Sequence, residues 1–478
     1  APAILVAMFA LLASVIILSQ RIPARAAYDQ KLYHVPSIQQ FADALPAFDP
    51  WDYLSATTPG YHIFYALVYR ATSGSLISLQ FLSALIAAAF FGLLASMIAR
   101  KPSQAVLATC ALCLPLLASP YTLYPSVFIL PDMLGWLCVL IILAISLRDR
   151  ITPAWLALAS AVLVMLVMTR QIHVWVAGPL VFATALQSLD FSAKITWLSP
   201  RTLARAALRS LPAILACIPA VVLLALFVRY WGGLVPPRFQ GWYPTRTVVD
   251  MVLSPAGAFF LTMTGIYGCF FLPFIIEPLR DLWHRHRTWL LAALALGALI
   301  ALLPDTTYNY EAGRRTGVWN LTQRLPTIAN HTSPIILLGT VWGALVLTAL
   351  LWAQPLRHRL IYLCTIAAYC AAMSASQETW QRYFDPMVLM LLVLLSAQSS
   401  AAHPAQFAPR WQSAGRTLGP ALLAALLLVQ SALPFVKSDA TTMNAPPPPA
   451  KSEVHQGAEP PVLFPPPEKP AGKRFWPF

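Results

Sequence analysis

Long unbroken apolar runs alternate with short polar turns along almost the whole chain. The runs last about 16 to 24 residues, and at 1.5 Å per residue each can cross a hydrocarbon core of roughly 30 Å as a helix. Strands of a membrane barrel would instead alternate apolar and polar residues, so the pattern predicts an all-α, polytopic transmembrane bundle. About thirteen spans are expected, near 2–20, 76–99, 104–118, 127–147, 153–168, 174–188, 211–229, 255–276, 288–303, 333–353, 360–375, 386–397 and 418–436. Longer polar stretches fall at 21–75, 230–254, 304–332 and 377–385, all on one side of the predicted membrane. On the other side the turns are brief, apart from 189–210 and 398–417. Within the first long loop, Val35, Ile38, Phe41, Ala42 and Leu45 recur at helical spacing, with Pro36 suited to a first turn and Pro46 ending the run. A short interfacial helix is predicted there, apolar face toward the membrane and Gln39, Gln40 and Asp43 toward water.

Composition sharpens this picture. The 478 residues are 58% hydrophobic and 10% charged, which excludes a soluble globular domain of this length. A net charge of +14 would suit nucleic acid, but its distribution points to topology, and no nucleic-acid partner is expected. One set of turns carries Arg100 and Lys101, Arg148 and Arg150, Lys194 with Arg201, Arg205 and Arg209, Arg280 with Arg285 and Arg287, Arg357 and Arg359, then Arg410 and Arg416. These are the expected cytoplasmic turns, which set the N-terminus inside and the long polar loops outside.

Residues 1–437 read as one transmembrane domain. From 438 to 478 the chain is rich in proline and lacks helical periodicity, as in NAPPPPAKSEVHQGAEPPVLFPPPEKP, which predicts a disordered or polyproline extracytoplasmic tail. The chain opens at Ala1 without a basic leader region, which reads as a start processed or lying upstream. All seven cysteines fall inside predicted spans; Cys110 and Cys113 have no second pair, and neither a zinc site nor a disulfide framework is expected. No metal and no cofactor is expected, and no phosphate-cradling glycine loop occurs.

Ionisable residues near the membrane carry the candidate chemistry, because the bilayer penalises them. Asp132 stands near the outer end of the fourth span, Arg170 and His173 occupy an outer tip between two short spans, and Arg382 and Asp385 share a third outer turn. The first loop adds Asp29, His34, Asp43, Asp49, Asp52 and His62. A carboxylate just beyond a span can deprotonate a hydroxyl while a lipid lies alongside, and Asp29, flush with the membrane, and Asp49, whose position the following Pro50 and Trp51 would fix, suit that role best.

The succession His34-Val35-Pro36, Phe48-Asp49-Pro50 and Thr57-Thr58-Pro59-Gly60 resembles the first luminal loop of the eukaryotic dolichyl-phosphate-glucose α-1,2-glucosyltransferases, which add the last glucose to the lipid-linked oligosaccharide. Arg170-Gln171 with His173 resembles that family's Arg-Gln-Thr-Asn, Trp231-Gly232-Gly233-Leu234-Val235 its Asn-Gly-Gly-Ile-Val, and Arg382-Tyr383-Phe384 with Pro386 its Arg-Tyr-x-x-x-Pro. The matches keep their order from about residue 21 to 395. Two departures stand out: the family's acidic pair lies three and four residues before the histidine, where this chain has Lys31 and Gln30, and Trp231 replaces an asparagine.

The resemblance implies a GT-C glycosyltransferase fold, in a bacterial relative set in the cytoplasmic membrane with its active site outside. It implies transfer of a hexose, glucose foremost, from a polyprenyl-phosphate-linked donor to a glycan or lipid-linked acceptor, with inversion. Asp29 would serve as base, with Asp49 as substitute, and Arg170 and Arg382 would stabilise the departing phosphate. His34, Thr58, Asp132, Gln171, His173 and Tyr383 would bind substrate, and Trp51, Tyr53, Tyr61, Trp242 and Tyr243 are candidate sugar-stacking faces. Two other classes stay open: a polysaccharide polymerase or ligase, and a transporter or flippase of a polyprenyl-linked sugar.

Overall fold

A computed structural model describes residues 1–99, 106–189, 199–241, 246–376, 378–402, 409–436, 440–442 and 469. Arg100, Lys101, Lys194, Trp242, Tyr243 and nearly all of the Pro-rich stretch lie outside the described residues. Among those described, helices dominate. The first seven are α1 (Pro2–Leu18), α2 (Ala24–Asp29), α3 (Val35–Ala44), α4 (Gly60–Ala71), α5 (Leu76–Ala99), α6 (Val106–Ala118) and α7 (Pro120–Val127). There follow α8 (Asp132–Ser146), α9 (Pro153–Thr169), α10 (Ala177–Leu186), α11 (Pro200–Trp231), α12 (Val248–Val252), α13 (Ala256–Gly268) and α14 (Leu272–Arg285). The last are α15 (Arg287–Leu302), α16 (Trp319–Thr322), α17 (Pro334–Trp352), α18 (Leu356–Ser374), α19 (Gln381–Ala402) and α20 (Arg410–Val436). Strand β1 (Arg21–Pro23) pairs antiparallel with β2 (Ala440–Thr442), Arg21 opposite Thr442, which returns the chain beyond α20 to the end of α1.

Helix occupies each of the thirteen predicted stretches, and among the described residues fewer of them reach the length and apolarity of a span standing alone. Six stretches are long and apolar enough to cross a membrane by themselves: α5, α11, the run Val248–Arg285, α17, α19 and α20. A seventh arises if α6 and α7, bent by 79° at Ser119, count as one. Helices α1, α8, α9 and α15 and the run Gln171–Leu186 are apolar but shorter. Helix α18 opens with Arg357, His358 and Arg359, which lowers its hydropathy. The predicted fourth span starts late, at Asp132, because Pro131 disfavours helix in the residue before it.

Burial separates centre from rim. In α19, 89% of the apolar window is buried, as expected of a helix apolar on all sides and packed inside a bundle. The corresponding shares are 22% in α11 and 28% in α20, whose exposed leucines and valines form the outer surface. Helices α13 and α17 approach backbone to backbone at Gly265, Gly339 and Gly343, where any Cβ would collide, and Thr262 and Thr340 hydrogen-bond across the seam at 3.1 Å. Gly339 and Gly343 form the small-x-x-x-small pattern that holds helices together in lipid, where no hydrophobic force drives association.

The connecting segments sort into two groups. At one end Arg357 donates to the Ser146 and Arg148 carbonyls and His358 bonds that of Leu147, joining two predicted cytoplasmic turns. At the other end the long polar loops meet: Trp319 Nε1 donates to Thr379 O, Arg246 to Ser374 O and Ser376 O, and Trp231 Nε1 to Pro50 O. Helix α3 spans the residues predicted for the interfacial helix, with Asp43, Gln39 and Gln40 exposed. Its apolar face, however, is covered by protein rather than turned outward: Phe41 packs on the rings of Phe48, Tyr53 and His62.

Candidate functional site

The first loop begins as a helix the sequence pattern does not reveal. Helix α2 runs through a π-helical turn, Gln30–His34, directly into α3, and in that turn the Val35 N–H bonds the Gln30 carbonyl five residues back. Gln30 itself is buried, its side-chain oxygen accepting the Ile129 N–H at 2.9 Å, which anchors the turn beside the start of α8. Asp29 ends α2 just before the turn. Its carboxylate meets Arg382, from the first turn of α19, at 2.6 Å. Arg382 also donates to the Tyr383 hydroxyl at 2.9 Å and lies over the rings of Trp380 and Tyr383, 4.6 and 4.9 Å from their centroids.

A second pair stands alongside. Asp132, opening α8, holds Arg170, the residue closing α9, at 2.5 Å, and the Arg170 guanidinium lies 5.6 Å from the Tyr383 ring centroid. Gly135 permits this: a Cβ there would come within 3.2 Å of the His173 ring and 3.4 Å of Arg170. Each arginine keeps its Nε buried without a hydrogen bond among the described residues. Both charges reach His34, whose imidazole is pushed down to about 3, chiefly by burial and then by Arg170 and Arg382. His34 is therefore neutral near pH 7; Nδ1 bonds His62 Nε2 at 3.0 Å, leaving Nε2 for another partner.

Other predicted site residues hold this constellation in place. Thr58 is fully buried, its hydroxyl donating to Val167 O and its N–H to the Gln171 side chain at 3.1 Å. Gln171 also donates to Ala56 O and Leu234 O, so one side chain clips three loops together. His173 is buried against Trp136, ring centroids 4.7 Å apart, with Nδ1 unpartnered among the described residues. Asp385 does not join Arg382: buried in the bundle, it accepts hydrogen bonds from Ser119, Tyr267 and Gln381.

Asp49 belongs to a different place. It accepts from Tyr230 Oη at 2.7 Å and Trp51 N–H at 3.0 Å, and pairs with Lys469 at 2.6 Å. Neighbouring Asp52 is held in a fork by Arg238 Nε and Nη2, at 2.7 Å each. Asp49, Asp52 and Lys469 line a cavity of about 390 Å³ with Gln40, Phe41, Ala44, Ala47 and Trp51. Partial burial works to raise the Asp49 carboxyl, but hydrogen bonds from Lys469, Tyr230 and Trp51 outweigh it and hold it below the usual carboxylate range.

The stacking faces expected of Trp51, Tyr53 and Tyr61 are taken by protein. Trp51 packs on Tyr230, Tyr53 on Phe41 and His62, and Tyr61 on Tyr65. Arg315, Glu378 and Trp380, which the sequence reading did not single out, border the Arg382 side of the cluster. Below Arg170 and Gln171, α10 and α11 bound an apolar groove of about 570 Å³, running from Ala177 and Val222 toward Ala185 and Ser210. No family model, no curated protein and no solved structure matches the chain.

Proposed function

We propose that the chain is a membrane glycosyltransferase that moves a hexose, glucose foremost, from a polyprenyl-phosphate carrier to an extracytoplasmic glycan or lipid-linked acceptor, with inversion. The observation that carries this reading is the double pair, Asp29 with Arg382 and Asp132 with Arg170, gathered around Tyr383 at one end of an apolar helical bundle. Two guanidiniums, each with a buried Nε–H that has no hydrogen bond among the described residues, suit the oxygens of a lipid phosphate. As phosphate engages Arg382, it competes with the carboxylate of Asp29 and releases it to act as base.

In the proposed step the acceptor hydroxyl gives its proton to Asp29 while its oxygen bonds to the anomeric carbon. The bond from that carbon to the phosphate oxygen breaks, and its electron pair leaves on the polyprenyl phosphate, whose charge Arg382 and Arg170 stabilise. Attack opposite the leaving group inverts the centre. Neutral His34 donates or accepts one hydrogen bond without adding charge. The groove between α10 and α11 begins at Ala177, two short turns beyond Arg170, which supports it as the bed for the carrier's isoprenoid chain. The same reading takes all thirteen helical stretches as spans in a bacterial cytoplasmic membrane, the shorter ones sheltered by neighbours, with the cluster on the extracytoplasmic face.

The test is transfer from radiolabelled polyprenyl-phosphate-glucose in nanodiscs to a panel of acceptor lipids. Asp29→Asn is expected to lower turnover by about 10² to 10⁴, and Arg382→Lys to lower it as well, because an ammonium cannot offer the fork. Asp49→Asn should leave most turnover intact. Carrier that is never consumed by folded protein would sink the reading, and carrier moved across the bilayer without chemistry would favour a flippase.

A further inference from the structure

Beside Arg382, a second wall is built from the loop before α16 and the segment before α19. Arg315 lies between two aromatic residues, its guanidinium 4.1 Å from the Tyr310 ring centroid and 5.0 Å from that of Trp380. Glu378 approaches Arg315 at 3.6 Å through one oxygen. The other oxygen, Glu378 Oε2, is buried with no hydrogen bond among the described residues, and so are Trp380 Nε1 and Thr316 Oγ1. Thr316 sits at φ 72, in the left-handed region that a β-branched residue adopts only under constraint, and the loop is fixed there by the Val318 N–H bond to Gln381 Oε1 at 3.2 Å.

Each buried polar atom left without a partner costs about 1–3 kcal/mol, so three in one wall call for something that completes them. The set mixes an acceptor that is only an acceptor, the Glu378 oxygen, with the Trp380 N–H, which only donates, and a hydroxyl that does both. Phosphate would satisfy the donors and be repelled by the carboxylate; an ammonium would do the reverse. A neutral hydroxyl-bearing group answers both demands, because each hydroxyl donates and accepts. The wall is reachable: Arg315 and Glu378 keep 22% and 16% of their side-chain surface exposed. We propose that Arg315, Thr316, Glu378 and Trp380 form the subsite for the sugar of the acceptor, one that reads neutral vicinal hydroxyls beside the Asp29–Arg382 pair. This assignment rests on the transferase reading for its role, though not for its ligand chemistry.

The test uses full-length protein in nanodiscs. Intrinsic tryptophan fluorescence is followed while maltotriose, mannotriose or inorganic phosphate is added, for the unaltered chain, Glu378→Gln, Trp380→Phe and an Asp43→Asn control. Saturable binding of at least one saccharide is expected, weakened about tenfold or more by Glu378→Gln, since a hydrogen bond to a charged group is lost, and weakened by Trp380→Phe, which keeps an aromatic ring but removes the N–H. The Asp43→Asn control should titrate like the unaltered chain. In the transfer assay, Glu378→Gln should raise the acceptor KM by a similar factor and move the donor KM less than twofold. Absence of saccharide binding, equal binding by Glu378→Gln in protein that melts normally, or tighter binding of phosphate than of either saccharide would overturn the subsite. Saccharide binding without any carrier consumption would uphold the subsite and overturn the transferase reading instead.

Discussion

Asp29 and Asp49 stand in one polar loop, yet their partners differ in kind. Asp29 faces an arginine shared with Tyr383 and next to a second ion pair, whereas Asp49 is held by Tyr230 and Lys469 in a separate cavity. The sequence placed both in one polar loop but could not tell their surroundings apart, because the partner of Asp29, Arg382, lies 353 positions away. Glu378 makes a prediction at the same scale. Burial pushes its carboxyl up against the opposing pull of Arg315 and Arg382. A carboxyl with a raised folded-state value binds more protons when folded, so stability falls as pH rises from the unfolded value, about 4.3, through the folded one, and is constant above it. Relative to Glu378→Gln, the melting temperature of the unaltered protein should therefore drop across that window; a rise there would show that the fold lowers the carboxyl's value instead of raising it.

Among the elements, the seam of α13 and α17 and the groove of α10 and α11 make opposite demands on side-chain size. At Gly343 a Cβ would fall on the Leu261 carbonyl, so Gly343→Ile should destabilise by about 3 kcal/mol or more, seen as a large drop in melting temperature in detergent. At Gly178, by contrast, the nearest atom to a new Cβ is Ala368 Cβ at an ordinary 3.8 Å. Gly178→Trp should leave melting little changed and raise the KM for a long-chain carrier more than for a short-chain one; equal effects on both would remove the groove from the binding path. Hydrophobic runs announced the long helices, since a helix is a local object, but not α2, α4, α7, α12, α16 or the π turn; in α2 and the π turn Tyr28, Gln30 and Lys31 interrupt the apolar pattern and tertiary contacts such as Gln30 to Ile129 supply the order.

Over the whole molecule, the charge asymmetry of the turns and the sorting of loops into two ends describe the same axis. Cysteines introduced at Asp43 and at Asp149, both exposed, should react with an impermeant thiol reagent from opposite sides of sealed vesicles. Labelling from one side would break the topology. The span count was less legible than the helices: composition reports how apolar a run is, while bends such as that at Ser119 and Pro120, and packing within the centre, determine how far a helix reaches.

The π turn at Gln30–His34 also bears on how such a loop changes over evolutionary time. Its i to i+5 closure lets a helix absorb one extra residue locally, so that an acid five places before His34 stands where one four places before would stand in a regular helix. A single-codon insertion can then lengthen the spacing between acid and histidine without moving either off its target. Spacing within this stretch is a poor guide to kinship; what lineage would preserve is the direction in which Asp29 points.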